Sequence, residues 1–175
     1  AQAHYVRHVM RAGAGERIAL IHGRDGEWHA EIGFLGKSGV LATLEARVRA
    51  QSATPGPTLL FAPVKREANE WLIEKATELG VARLQPVLTA RTESHRHNLV
   101  RWQTIATEAA EQCERLDVPA VMPPVPLAEL FAQWPAASLI LALAEAGAAQ
   151  PIATVLTARR AAAAALLVGP AGGFT

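Results

Sequence analysis

Apolar and polar positions change rhythm once along this chain. From Arg17 to Val48 the apolar residues fall at every second place: Trp28, Ala30, Ile32 and Phe34 alternate with His29, Glu31 and Gly33, and Val40, Ala42, Leu44, Ala46 and Val48 repeat the alternation. A period of two is the mark of a strand with one buried face. Strands are therefore expected at 17–22, 28–34 and 40–48, separated by turns at 23–26 and 36–39. They predict a small antiparallel barrel or sheet, with no evident opening strand.

The segment 51–57 (QSATPGP) is polar, rich in Pro and Gly and without period, as a linker is. It divides the chain into a first domain at 1–50 and a second at 57–175. Beyond it, apolar runs alternate with helical patterns: strand 58–62, helix 67–79 stopped by Gly80, strand 83–88, helix 99–116 and strand 120–122. Helix 127–134, strand 138–143, a helix opened by Pro151 and running to 160, and strand 165–168 follow. Strand and helix in turn predict a parallel α/β sheet.

Composition changes this picture little. The chain has 175 residues, half of them apolar, and a formal net charge of +1, which suits folded domains and names no partner. The distribution is more informative. Arg7, Arg11, Arg17 and Arg24 stand near the N-terminus against Glu16 alone, and Arg83, Arg91, Arg96 and Arg101 stand against Glu93 alone. Two basic clusters suit nucleic acid as well as solvent. The single Cys113 rules out an internal disulfide and points to a reducing, cytoplasmic setting, with Cys113 itself expected in the core. The N-terminal residues lack the apolar stretch of a signal peptide, and no apolar run approaches the roughly 18 residues of a membrane span.

Three features could carry chemistry. On the helix 99–116, Leu99, Trp102, Ile105, Ala109, Cys113 and Leu116 share an apolar face, while Thr104, Glu108, Gln112 and Arg115 form a polar stripe aimed at a pocket or at solvent. Lys75 and Glu78 precede a glycine cap. Gly169, Pro170, Gly172 and Gly173 follow an apolar strand, where α/β folds place ligand loops. No dinucleotide fingerprint, Walker lysine, metal-ligand spacing or nucleophile motif accompanies them.

Taken in order, KATELGV (75–81), EAAEQCERLDVP (108–119) and LLVGPAGGFT (166–175), after a β domain opening with HYVRHVMR (4–11), resemble the RsmE-type 16S ribosomal RNA uridine-N3 methyltransferases. That family lies in the SPOUT class of knotted methyltransferases. The resemblance covers nearly the whole chain. It implies an N-terminal PUA-like barrel gripping RNA, incomplete at its start, and a SPOUT domain whose trefoil knot binds S-adenosylmethionine. It also implies a homodimer with the active site at the subunit interface, acting on 16S rRNA in the small ribosomal subunit. The cofactor pocket maps onto Gly169, Pro170, Gly172 and Gly173, with Leu143 and Glu145 beside it. Arg115, Glu108 and Gln112 become catalytic candidates: Arg115 for charge on the uracil oxygens, Glu108 for the N3 proton, Gln112 for orienting the base. Arg7, Arg11, Lys75, Arg91 and Arg96 become RNA-binding candidates.

Two departures from the pattern stand out. Ala171 replaces the usual glutamate of the glycine loop, and the chain stops before the segment that would complete the knot, so the fragment is expected to be inactive and to bind cofactor poorly. The rival expectations are an RNA-binding assembly module without catalysis, and a knotted methyltransferase acting on tRNA.

Overall fold

The computed structural model describes residues 2–21, 23–36, 39–53, 55–92, 97–143, 149–158 and 164–170. Contacts divide the chain into two compact units, Ala1–Ala53 and Thr54–Thr175.

The first unit opens with a short helix, α1 (Gln2–His4), running into a π-helical turn at Tyr5–Val9. Strands β1 (Arg17–Ile21), β2 (Glu27–Leu35) and β3 (Val40–Arg49) then form an antiparallel sheet in sequence order. Its core is small: Ala12, Ile18, Ala30 and Ile32 are buried, with Val6, Val40 and Ala42 packed against them. The alternation read from the sequence puts Ala30, Ile32, Val40 and Ala42 on the buried face, and Val6 and Ala12 cover it from the segment before β1. Three register shifts between β2 and β3 interrupt it and increase the local twist. Gly26 closes the β1–β2 hairpin at a positive φ of 84°.

In the second unit β4 (Thr58–Phe61), helix α2 (Arg66–Glu78), β5 (Arg83–Leu88), helix α3 (Leu99–Gln112) and β6 (Ala120–Val121) follow one another. After them come β7 (Val125–Pro126), helix α4 (Leu127–Ala132), β8 (Leu139–Leu143), helix α5 (Ile152–Ala158) and β9 (Ala164–Val168). The strands are parallel in the order β6-β5-β4-β9-β8, and β7 extends the pairing along β5. Both faces of this sheet are covered, so its central strands are apolar without alternation. Leu59, Phe61 and Leu84 pack against Ile73, Ala76, Trp102, Ile105 and Ala106 of α2 and α3. On the other face Leu60, Val87, Ala165 and Leu167 meet Leu127 and Leu130 of α4, with Trp134 beyond its end.

Helices α2 and α3 end in the same way. The N–H of Val81 bonds to Ala76 O and that of Gly80 to Thr77 O, with Gly80 at φ 87°. This is a Schellman closure, which calls for a left-handed residue. At the end of α3 the N–H of Arg115 bonds to Ala110 O and that of Glu114 to Glu111 O, but the left-handed residue is Glu114, at φ 56°. A side chain there is strained where glycine would not be. Glu114→Gly is accordingly expected to stabilise the protein by about 1 kcal/mol, read as a higher denaturant midpoint at unchanged slope. A lowered midpoint would show that contacts of the Glu114 side chain outweigh the strain.

This closure corrects the sequence expectation of one helix over 99–116. The helix stops at Gln112, because Cys113 and Glu114 already form the turn. Cys113, expected in the core, is exposed for the same reason. Leu116 is buried, although it no longer belongs to the helix.

Candidate active site

All strands of the second unit run parallel, so their carboxyl ends share one edge, which is where α/β sheets bind ligands. There Phe61 of β4 pairs with Val168 of β9, and Leu143 of β8 pairs with Val168 from the other side. The first backbone group beyond β4, the N–H of Ala62, still donates to Val168 O at 3.2 Å. Two turns thus leave the sheet together: 62–65 from β4, and Gly169-Pro170 from β9. Pro170 is buried and Gly169 half-buried, whereas Leu143 is 42% exposed at the same edge. Glu145, Gly172 and Gly173, the other residues expected in this pocket, lie outside the described residues.

The turn after β4 is held by Asn69. Its side chain, 2% exposed, accepts from Val64 N at 3.0 Å and donates to Val64 O at 2.8 Å. Sequence reading missed this residue, yet a signal existed: Asn69, Ile73 and Ala76 fall at helical spacing, so a polar side chain stood on the buried face.

The expected catalytic stripe divides. Glu108 and Gln112 are exposed on α3. Glu108 opens into a trough between α2 and α3 lined by Glu67, Glu70, Trp71, Glu74, Arg101 and Ile105. Within it Glu70 pairs with Arg66 at 2.8 Å and with Arg101 at 3.5 Å. The hydrogen bond from Arg66 holds the Glu70 carboxyl below its ordinary pKa, against the opposing effect of desolvation.

Arg115 lies elsewhere. Its guanidinium donates to Thr77 O at 2.6 Å and Val81 O at 3.1 Å and pairs with Asp117 at 3.3 Å, with its side chain 9% exposed. It caps Thr77 O in the last turn of α2 and Val81 O just beyond it, and ties both to the turn after α3. The stripe geometry that put it beside Glu108 and Gln112 is therefore corrected, because the helix ends before reaching it. Arg115 is also near the amino edge of the sheet, since Val81 lies two residues before β5. A parallel strand–helix unit returns its helix from the carboxyl edge to the amino edge, and α3 with 14 residues is about 20 Å long. One chain does not bring Gln112 or Arg115 next to Gly169.

The RNA-binding candidates are also spread. Arg7 is half-buried in the π-helical turn, and Arg11 is exposed at φ 55°. Nearby, the rings of His4 and His8 lie 4.5 Å apart. Arg91 is exposed in the turn after β5, and Arg96 lies outside the described residues. Lys75 meets Glu74 at 2.8 Å and Glu78 at 2.9 Å. These bonds, Glu74 first, raise its pKa above the ordinary value, and they compete with any phosphate.

Comparison with known proteins converges on one family. A protein-family profile described as RNA methyltransferase domain matches residues 53–175, and one described as RNA methyltransferase PUA domain matches residues 1–45. The chain belongs to the RNA methyltransferase family. Among curated relatives, the ribosomal RNA small subunit methyltransferase E of Synechocystis is 39% identical over 128 residues, 71% of this chain and 42% of that protein. The protein of the same name from Rickettsia conorii is 30% identical over 118 residues, 67% of this chain and 48% of that protein. The chain thus spans somewhat under half the length of these two relatives. Among solved structures, the methyltransferase E from Neisseria gonorrhoeae bound to S-adenosyl methionine superposes with a TM-score of 0.84 at 27% identity, covering 98% of this chain and 72% of the other. Among the described residues no group of three or more metal-binding side chains occurs, and no helix is long and apolar enough to cross a membrane.

Proposed function

We propose that this protein is an S-adenosylmethionine-dependent methyltransferase acting on N3 of a uridine in 16S rRNA of the small ribosomal subunit. The observation that carries the reading is the match of the RNA methyltransferase domain over residues 53–175, on a parallel sheet whose β4, β9 and β8 end together. In this reading the first unit is part of a PUA-like barrel that grips RNA through Arg7 and Arg11. The second is a SPOUT domain with its trefoil knot, working in the cytoplasm.

The carboxyl edge fits the cofactor. A nucleoside group asks for an apolar surface flanked by backbone donors and acceptors, and Leu143 and Gly169 offer these. Gly169, Pro170 and Leu143 would hold it, joined by Gly172, Gly173 and Glu145. Bound there, S-adenosylmethionine supplies an electrophilic sulfonium methyl group.

The chain's own residues must deal with the base. Uridine N3 carries a proton and is concealed in base pairing, so the base has to be turned out first. Glu108 then accepts the N3 proton, directly or through water, and Gln112 orients the uracil edge. Arg115 serves as the strut that holds the end of α3, rather than as the group on the uracil oxygens. Since Gln112 and Gly169 lie towards opposite edges of one sheet, the complete site needs two copies of the chain, the partner's α3 facing this chain's Gly169. That separation supports a homodimer.

Incubating the full-length protein with unmethylated small subunits and methyl-labelled S-adenosylmethionine is expected to place label in 3-methyluridine. Label in another nucleoside, or in tRNA alone, would refute the assignment.

A further inference from the structure

The turn leaving β4 contains a cation that the proposed reaction has not yet used. Lys65 is exposed immediately before α2, four residues past the carboxyl end of β4. Among the described residues its ammonium group enters no ion pair or side-chain hydrogen bond, in contrast to Lys75, which two carboxylates occupy. It leaves the sheet at the edge that also carries Gly169, through a turn joined to β9 by the Ala62–Val168 hydrogen bond. Its backbone is pinned on both sides. Asn69 grips Val64 through N–H and C=O, and the N–H of Asn69 bonds to Lys65 O at 3.0 Å.

An exposed lysine on a freely moving turn loses side-chain and backbone freedom whenever it binds. Here the backbone part of that loss is already met by folding. The clamp also uses a buried amide, which would cost free energy if it lacked partners; both its polar ends are satisfied by one residue of the turn. We propose that Lys65 contacts a phosphate of the substrate RNA at the mouth of the cofactor edge, and that Asn69 is the residue positioning it. The inference rests on the methyltransferase reading for the identity of the RNA. It adds to that reading a point of contact on the second unit, apart from the basic N-terminal segment.

The test measures binding of the full-length protein to small ribosomal subunits over a range of salt, alongside methyl transfer. Lys65→Ala is expected to weaken binding about fivefold and to lower the salt slope by about one released counterion, while Lys65→Arg retains both. Asn69→Asp keeps the acceptor for Val64 N but loses the donor to Val64 O. It is expected to weaken binding in the same direction, with little further loss when combined with Lys65→Ala. Asn69→Leu, which removes both bonds, should do so more strongly if it folds. Wild-type affinity and salt slope in Lys65→Ala would overturn the proposal, and so would fully multiplicative effects of Asn69→Asp and Lys65→Ala. Absence of methyl transfer by the unaltered protein would instead count against the enzyme reading, leaving the binding comparison to decide the role of Lys65.

Discussion

Replacing Arg115 by alanine is expected to lower the melting temperature by about 10 °C. Three observations set the size. The side chain is only 9% exposed and it donates to two carbonyls, Thr77 O and Val81 O. Those carbonyls lie in and just after the last turn of α2, and Asp117 balances the charge. Truncation removes the charged donor from Val81 O and from the Asp117 carboxylate and leaves Thr77 O with only its backbone partner Gly80 N–H, a loss of about 3 kcal/mol. For a domain of this size that corresponds to roughly 10 °C. Arg115→Lys should recover little, because an ammonium on a flexible stem does not reproduce the planar fork that reaches both carbonyls and Asp117. An alanine variant that melts with the unaltered protein would contradict the strut and restore Arg115 as a candidate on the base. Activity assays of such variants belong well below their melting temperature, where a folding defect and a lost contact can be told apart.

Gly26→Ala should have an effect of similar size on the first unit. Gly26 combines a φ of 84° with a buried position where an added Cβ would overlap the Arg49 carbonyl and approach Gln51 N to 2.7 Å. All the crowding atoms are backbone, so no side chain can swing away. The cost is about 3 kcal/mol or more, set against a core of four buried residues. Loss of the hairpin's amide protection in hydrogen exchange, with the second unit still protected, is the expected result. Gly23 provides the control: its φ is 74°, yet a Cβ there meets nothing within 4 Å. Gly23→Ala should therefore cost only about 1 kcal/mol of backbone strain. Equal effects at the two positions would show that conformation, not crowding, decides.

Much of this architecture was legible because the first unit keeps a period of two, whereas the second alternates apolar runs with helical spacing. The alternation around Trp28–Phe34 reappears as β2, and the apolar runs after the linker reappear as β4, β5, β8 and β9, within a residue or two at each end. What escaped reading has physical causes. Strand β7 is only Val125–Pro126, too short to show a period, and exists through its pairing with Val87 and Leu88. The end of α3 carried no glycine to announce it, since Glu114 takes the left-handed position itself. That one turn moved Cys113 to the surface and Arg115 off the stripe. The π-helical turn at Tyr5–Val9 likewise has no local signature.

The candidate site was legible in part. Gly169 and Pro170 could be located because they directly follow an apolar strand, and the structure puts them at the shared carboxyl edge. The grouping of Glu108, Gln112 and Arg115 assumed that spacing along one helix is proximity in space, and it fails where the helix stops. Asn69 and Lys65 were invisible as a pair, because their link runs through the backbone of Val64 rather than through any motif.

The central claim, methylation of uridine N3 in 16S rRNA, is tested most directly in cells. Mass spectrometry of nucleosides from the small-subunit RNA of a strain lacking this gene should show 3-methyluridine absent, and its return when the full-length gene is restored. Undiminished 3-methyluridine in the deletion strain would contradict the account.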